Sequence, residues 1–280
     1  PVSQEIGQYY QDLRGLPERH LVHVRTTTNY TTTLSTFTNE VVNPVLAYIA
    51  SAGLSNQIDY LVLTRDLPYR VFDGAITYNG SSAVLFYGFK VDGPPCSLTS
   101  AGFQDYYEAE SSFARAHSPS SNRYYLSSIL TGYDLDQSRR ALDRAARSDQ
   151  SFPTGRVALL HTTDNFRTVR WTQFDDLVFS SRFASNRVDT VAYDADGLVS
   201  VSNLVGYLTG FTTDPFLATL GFVPGALADH LTSYGGCLFD PGLFTPNLQM
   251  PALHWIRQGA AGSYGNVAEP CNYLESQASY

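Results

Sequence analysis

The chain of 280 residues carries a formal net charge of −8, with only 16% charged residues and Lys90 as its single lysine. An acidic chain with no basic stripe has nothing to neutralise phosphates, so nucleic acid is excluded as a partner. At this length about 75% of the unfolded surface can be buried, so the core needs no metal or disulfide staple, and no apolar run reaches the ~20 residues that a membrane-crossing helix requires.

Residues 3–16 place Ile6, Tyr9, Tyr10 and Leu13 at helical spacing, with Gly15 as the stop. Leu21–Arg25 reads as a strand and Thr26–Thr33 as a polar loop or strand edge. Ser35–Ser51 reads as a helix that Pro44 must kink or restart near Asn43. Ile58–Thr64 is a buried strand ending at Arg65-Asp66, and the Gly- and Pro-containing stretch 66–103 reads as irregular or short elements. Gln104–Ala116 follows as helix, Tyr124–Leu130 as strand, and Asp136–Ser148 as an Arg-rich helix with a solvated face. Val157–His161 is a strand, Asn165–Phe179 a helix, and Thr190–Tyr193 and Val199–Leu208 are strands. Short apolar strands alternating with helices predict parallel βαβ units. The expectation is one α/β domain over 1–280, a mostly parallel open sheet with helices on both faces. Such a sheet normally opens with a strand, whereas this chain opens with a helix, so a first strand is expected to be missing from the start.

The last third carries the functional signal. Pro224-Gly-Ala-Leu-Ala-Asp-His-Leu-Thr-Ser-Tyr-Gly-Gly236 and Gly259-Ala-Ala-Gly-Ser-Tyr-Gly-Asn-Val-Ala-Glu-Pro-Cys271 each read as an apolar strand running into a turn rich in glycine and hydroxyls. In open α/β sheets ligands bind at such junctions. The segments around Leu231 and Tyr264, separated by the amphipathic Pro251–Gln258, are expected to be parallel neighbours opening onto one crevice. Ser233 is a nucleophile or a turn cap. His230 is a base or a hydrogen-bonded buried imidazole, and on a strand it faces the opposite side from Ser233. Glu269 is an acid or base, or an ion-pair partner of Arg257, Arg65 or Arg70. Tyr207, Arg65 and Arg70 are candidate binding residues.

Other motifs exclude more than they indicate. Tyr193-Asp-Ala-Asp-Gly197 lacks the distal ligands of a calcium loop and reads as a turn, and Asp164 reads as the cap of the next helix. No H-E-x-x-H, P-loop, dinucleotide fingerprint or Gly-x-Ser-x-Gly elbow is present, so no metal and no cofactor is indicated. Cys96, Cys237 and Cys271 show no C-x-x-C spacing, and a Cys237–Cys271 bridge stays open in either direction. A tyrosine-rich, charge-poor surface suits an extracellular or periplasmic protein. Residues 1–20 lack a leader pattern, so any export signal is expected to have been removed ahead of Pro1.

With Ser3…Tyr9-Tyr10…Arg14-Gly-Leu-Pro17, Tyr60-Leu-Val-Leu-Thr-Arg-Asp-Leu-Pro-Tyr-Arg70, Pro224–Ser233 and Gly259–Gly265 through Glu269-Pro270, the chain resembles a family of bacterial proteins of unknown function, many of them exported. In similar proteins the opening helix follows a first strand. The element order is also distantly similar to the caspase and gingipain peptidase fold, in which neighbouring strand tips supply a His-Gly and a Cys. Here the matching tips are Gly206–Gly210 and His230–Ser233, which lack both and offer Tyr207 and Ser233. The resemblance therefore implies one of two functions. The first is a hydrolase-like exported protein with His230 or Glu269 as base beside Ser233, Tyr207 and Arg65. The alternative is a non-catalytic secreted binding or surface-assembly protein whose partner is a small molecule, a peptide, a protein or a second copy of itself.

Overall fold

The opening helix α1 (Val2–Arg14) buries Ile6 and Gln11 and stops where Gly15 takes φ +59, a conformation that suits glycine. In this computed structural model the described residues are 2–75, 77–89, 125–179, 188–239 and 249–268. They belong to two compact units, Pro1–Leu130 and Thr131–Tyr280, and the expected single domain spans both.

In the first unit β1 (Thr31–Thr33) leads into α2 (Leu34–Phe37), capped by Thr33, whose hydroxyl accepts from the Thr36 N–H. A turn of π-helix, Thr38–Val42, separates α2 from α3 (Asn43–Ser51), and the Asn43 N–H donates to the Thr38 carbonyl. The wide turn sits directly before Pro44, which has no N–H to give, so the kink expected at Asn43 takes this form. Strand β2 (Tyr60–Thr64) pairs in parallel with β5 (Leu126–Leu130). Strand β3 (Arg70–Phe72) lies between β1, to which it is parallel, and β4 (Tyr78–Gly80), to which it is antiparallel. Helix α4 (Ser81–Tyr87) follows, and Phe37, Val41, Leu63, Val71, Val84 and Leu85 form the core. Leu21–Arg25 forms no strand: among the described residues, 22–29 make no main-chain bond to any other segment. The predicted helix Gln104–Ala116 lies outside the described residues.

The second unit is a four-stranded, wholly parallel sheet in the order β7-β6-β8-β9, made of β6 (Gly155–His161), β7 (Val188–Asp194), β8 (Leu204–Thr209) and β9 (Phe222–His230). Together with its helices it makes the chain α/β, with a mostly parallel sheet as expected. Helix α5 (Leu135–Ala146) is capped by Asp134, which accepts from the Gln137 N–H at 2.7 Å. Strand alternation places Ala158, Leu160, Tyr207 and Ala228 in one core cluster with Trp255 of the last described helix, α7 (Leu253–Gln258). The predicted helix Asn165–Phe179 is broken into a 3₁₀ turn (Val169–Gln173) and the short α6 (Phe174–Val178). The Arg-rich helix is only partly a solvated face. Arg140 and Arg147 are exposed, but Arg144 reaches α7 and donates to the carbonyls of Ile256 at 2.7 Å and Ala260 at 3.3 Å. Among the described residues no helix is long and apolar enough to cross a membrane.

Candidate functional site

Because the chain leaves β6 for β7 on one side and continues to β8 on the other, the switch point of the sheet falls between the carboxyl ends of β6 and β8. The protein's own backbone occupies that point. The Thr162 hydroxyl donates to the Gly210 carbonyl at 2.8 Å, and the Thr162 N–H donates to the Thr168 hydroxyl at 2.9 Å. A Cβ on Gly210 would collide with the Arg167 carbonyl, so only glycine admits the 162–168 loop here.

The tips of β8 and β9 stand side by side, with Thr209 in register with His230 and the Leu231 N–H donating to the Thr209 carbonyl at 2.9 Å. Residues 260–262 run parallel to β9: Ala261 donates to the Ala226 carbonyl at 2.8 Å and Ala228 to the Gly262 carbonyl at 3.1 Å. Further on, the Gly236 N–H donates to the Asn266 carbonyl at 2.7 Å. The two glycine-rich segments are therefore neighbours. Their glycines let two main chains touch, since a Cβ on Gly236 would strike Gly265 and the reverse.

His230, 1% exposed, lies between α7 and the residues that precede it. The Trp255 indole N–H donates to its Nδ1 at 2.8 Å, and its Nε2 lies 2.5 Å from the Met250 carbonyl. An indole can only donate and a carbonyl can only accept, so the imidazole is held neutral with its proton on Nε2. Burial pushes its pKa down, which reinforces that state. No lone pair is left for a substrate proton. That geometry is the buried, hydrogen-bonded alternative for His230.

Ser233, 3% exposed, opens the turn 233–236 and has no claim on that imidazole. Tyr207 is buried in the sheet and donates its hydroxyl to Asp214, whose other oxygen accepts from the Phe216 N–H at 2.8 Å. Burial and the adjacent carboxylate push the phenol pKa up, and burial pushes the Asp214 carboxyl up as well. Tyr207 is thus a core strut and does not line an open crevice. Glu269 and Cys271 lie outside the described residues, while Cys237 is buried with its Sγ 3.5 Å from the Val267 carbonyl. Arg65 and Arg70 belong to the first unit. There Arg65 pairs with Asp66 at 3.3 Å, and the Arg70 guanidinium stacks 3.9 Å from the Tyr78 ring centre.

Several functional-looking groups at the carboxyl edge escape a sequence reading. Arg170 and Asp229 form a largely buried pair at 2.5 Å, 59 residues apart in the chain with no motif to join them. His161 stacks on Trp171 with ring centres 4.5 Å apart, and its Nδ1 lies 2.9 Å from Asp194. Asp196 accepts from the Thr163 N–H at 2.7 Å, so the bend at 195–196 that follows β7 is tied to the segment after β6. Parallel pairing of two predicted strands would have brought His161 and Asp194 together, which is the one signal available. Phe166, Trp171 and Phe179 are 70%, 47% and 81% exposed in this same region of the chain. Among the described residues no group of three or more His, Cys, Asp or Glu could hold a metal ion.

No protein-family model, curated protein or solved structure matches the chain.

Proposed function

We propose that this chain is an exported binding protein and not a hydrolase. The reading is carried by His230, whose two ring nitrogens go to Trp255 and Met250. A serine nucleophile needs an adjacent base within hydrogen-bond reach, and that ring has no nitrogen to offer Ser233. The distant likeness to caspase and gingipain sheets is supported by the adjacent tips of β8 and β9, which carry Thr209-Gly210 and Leu231-Thr-Ser233 in place of a catalytic pair. Recognition then falls to the exposed aromatics Phe166, Trp171 and Phe179 of the segment that follows β6. Large exposed apolar groups rimmed by polar ones mark interaction surfaces. The Asp194 carboxylate beside His161 favours a peptide or protein partner that presents both apolar and basic side chains. The few charges and many tyrosines of the chain support export.

Treatment of the chain with a fluorophosphonate probe, followed by peptide mass spectrometry, tests the non-catalytic reading. No adduct is expected at Ser233. An adduct there that disappears in His230→Gln overturns it.

A further inference from the structure

We infer that the first unit holds a separate binding site, a slot along the open edge of β2 that takes a short apolar peptide in extended form with its C-terminal carboxylate among Arg14, Arg19 and His20. The site lies wholly within the first unit and does not depend on the reading of the second.

A cavity of about 730 Å³ is bounded by α1, α3, β2 and the segment His20–Val24. Ligand pockets typically span roughly 300–1,000 Å³, with apolar walls and a few polar groups that set orientation. Val41, Val45 and Ile49 supply apolar wall from the helical side, and Val22 and Val24 from the segment opposite.

The polar groups are mainly backbone. Among the described residues β2 pairs on one edge alone, with β5. Leu126 donates to the Asp59 carbonyl and the Arg65 N–H donates to the Leu130 carbonyl, both at 3.1 Å. Odd-numbered positions therefore turn their main-chain groups to β5, and those of Val62 and Thr64 point to the other edge. Across the cavity, residues 22–24 make no main-chain bond among the described residues. Enclosed N–H and C=O groups seek partners. An extended peptide satisfies them by adding a strand, with alternate side chains entering the apolar wall. A bare acyl chain would leave them unpaired.

Charge sets the end group. The described lining carries Arg14, Arg19, His20 and His23 against one carboxylate, Asp59. The Arg19 guanidinium donates to Gln57 at 3.4 Å, and the Tyr48 hydroxyl donates to the Arg19 carbonyl at 2.9 Å, which pins this corner. Among the described residues nothing hydrogen-bonds the buried Nε2 of His20. A carboxylate at this corner meets cations and a donor together.

Calorimetric titration of the intact chain with the free acid Ac-Val-Thr-Val-Leu, its C-terminal amide, an analogue N-methylated at alternate peptide bonds, and dodecanoate tests the proposal. The free acid is expected to bind at least tenfold more tightly than the amide. The methylated analogue and dodecanoate are expected to give no heat. His20→Ala should bring the acid down to the level of the amide, and Val45→Trp, which fills the slot, should abolish binding while thermal melting shows a folded chain. No binding of the free acid, equal binding of acid and amide, or tighter binding of dodecanoate overturns the proposal. If Val45→Trp does not fold, the His20→Ala comparison decides by itself.

Discussion

The indole N–H of Trp255 donates to Nδ1 of His230 at 2.8 Å, so helix α7 is fastened to the tip of β9 through the far side of an imidazole that also holds the Met250 carbonyl. In His230→Ala both the indole donor and the carbonyl acceptor lose their partner in a dry site. Each such loss costs about 1–3 kcal/mol, so a destabilisation of roughly 3 kcal/mol or more is expected in urea unfolding. Gly235 packs against the same ring, since a Cβ there would sit 3.3 Å from its Cε1. An unchanged unfolding midpoint would remove the structural role assigned to His230.

Acid sensitivity follows from the same burial. His230 is pushed below its ordinary value of 6.5, and burial together with Arg257 pushes His254 down to about 4. In the unfolded chain both rings take up protons near pH 6.5, while in the folded chain they stay neutral to lower pH. The unfolded state therefore binds more protons in that window, and stability falls as pH drops below 6.5. Asp214, whose carboxyl is pushed up by burial, has the opposite sign, because its folded form gains a proton above the unfolded carboxyl range. Two histidines outweigh it between pH 6.5 and 5.5, where the unfolded carboxyl is still ionised. Urea midpoints at pH 7.5, 6.5 and 5.5 should fall below pH 6.5, and His254→Asn should flatten the fall. A level profile would contradict the assignment.

The parts of the fold that sequence made legible are those where one local signal dominates. Pro44 marked the break at Asn43 because a missing N–H acts on its own turn. The strands β6, β7 and β9 announce themselves by apolar runs, and the pairing of Ala226–Ala228 with Ala261–Gly262 followed from two similar runs. By contrast, three-residue strands such as β3 and β4 are too short to show a period. The helix expected over Asn165–Phe179 is broken by tertiary ties. Thr168 accepts from Thr162, Arg170 reaches Asp229 and Trp171 stacks on His161, three competing side-chain ties within four residues. The same limit governed the site. Spacing placed the two glycine-rich turns together but did not reveal that their glycines serve backbone contact. Nothing near His230 announced a tryptophan 25 residues on.

Arg144 shows how a residue that reads as surface charge can govern the candidate site indirectly. Its guanidinium donates to the carbonyls of Ile256 and Ala260 at 2.7 and 3.3 Å, at the carboxyl end of α7, where the Ile256 carbonyl also accepts from the Gly259 N–H at 3.2 Å. A cation there also meets the negative end of the helix dipole. Arg144→Met removes both bonds and should cost about 1.5–3 kcal/mol, the range for bonds to charged groups. Arg144→Lys keeps the charge but not the fork, so it should recover only part of the loss. Arg140→Met, on the exposed side of the same helix, should stay within about 0.5 kcal/mol of the native chain. Because α7 carries Trp255, the Arg144→Met chain should also exchange its amide hydrogens faster over 253–260 and at Leu231, whereas Arg140→Met should not. Equal exchange in the two variants would mean that α7 is held by its apolar face alone, with Leu253 and Ile256 against Ala141 sufficient to keep the indole on His230.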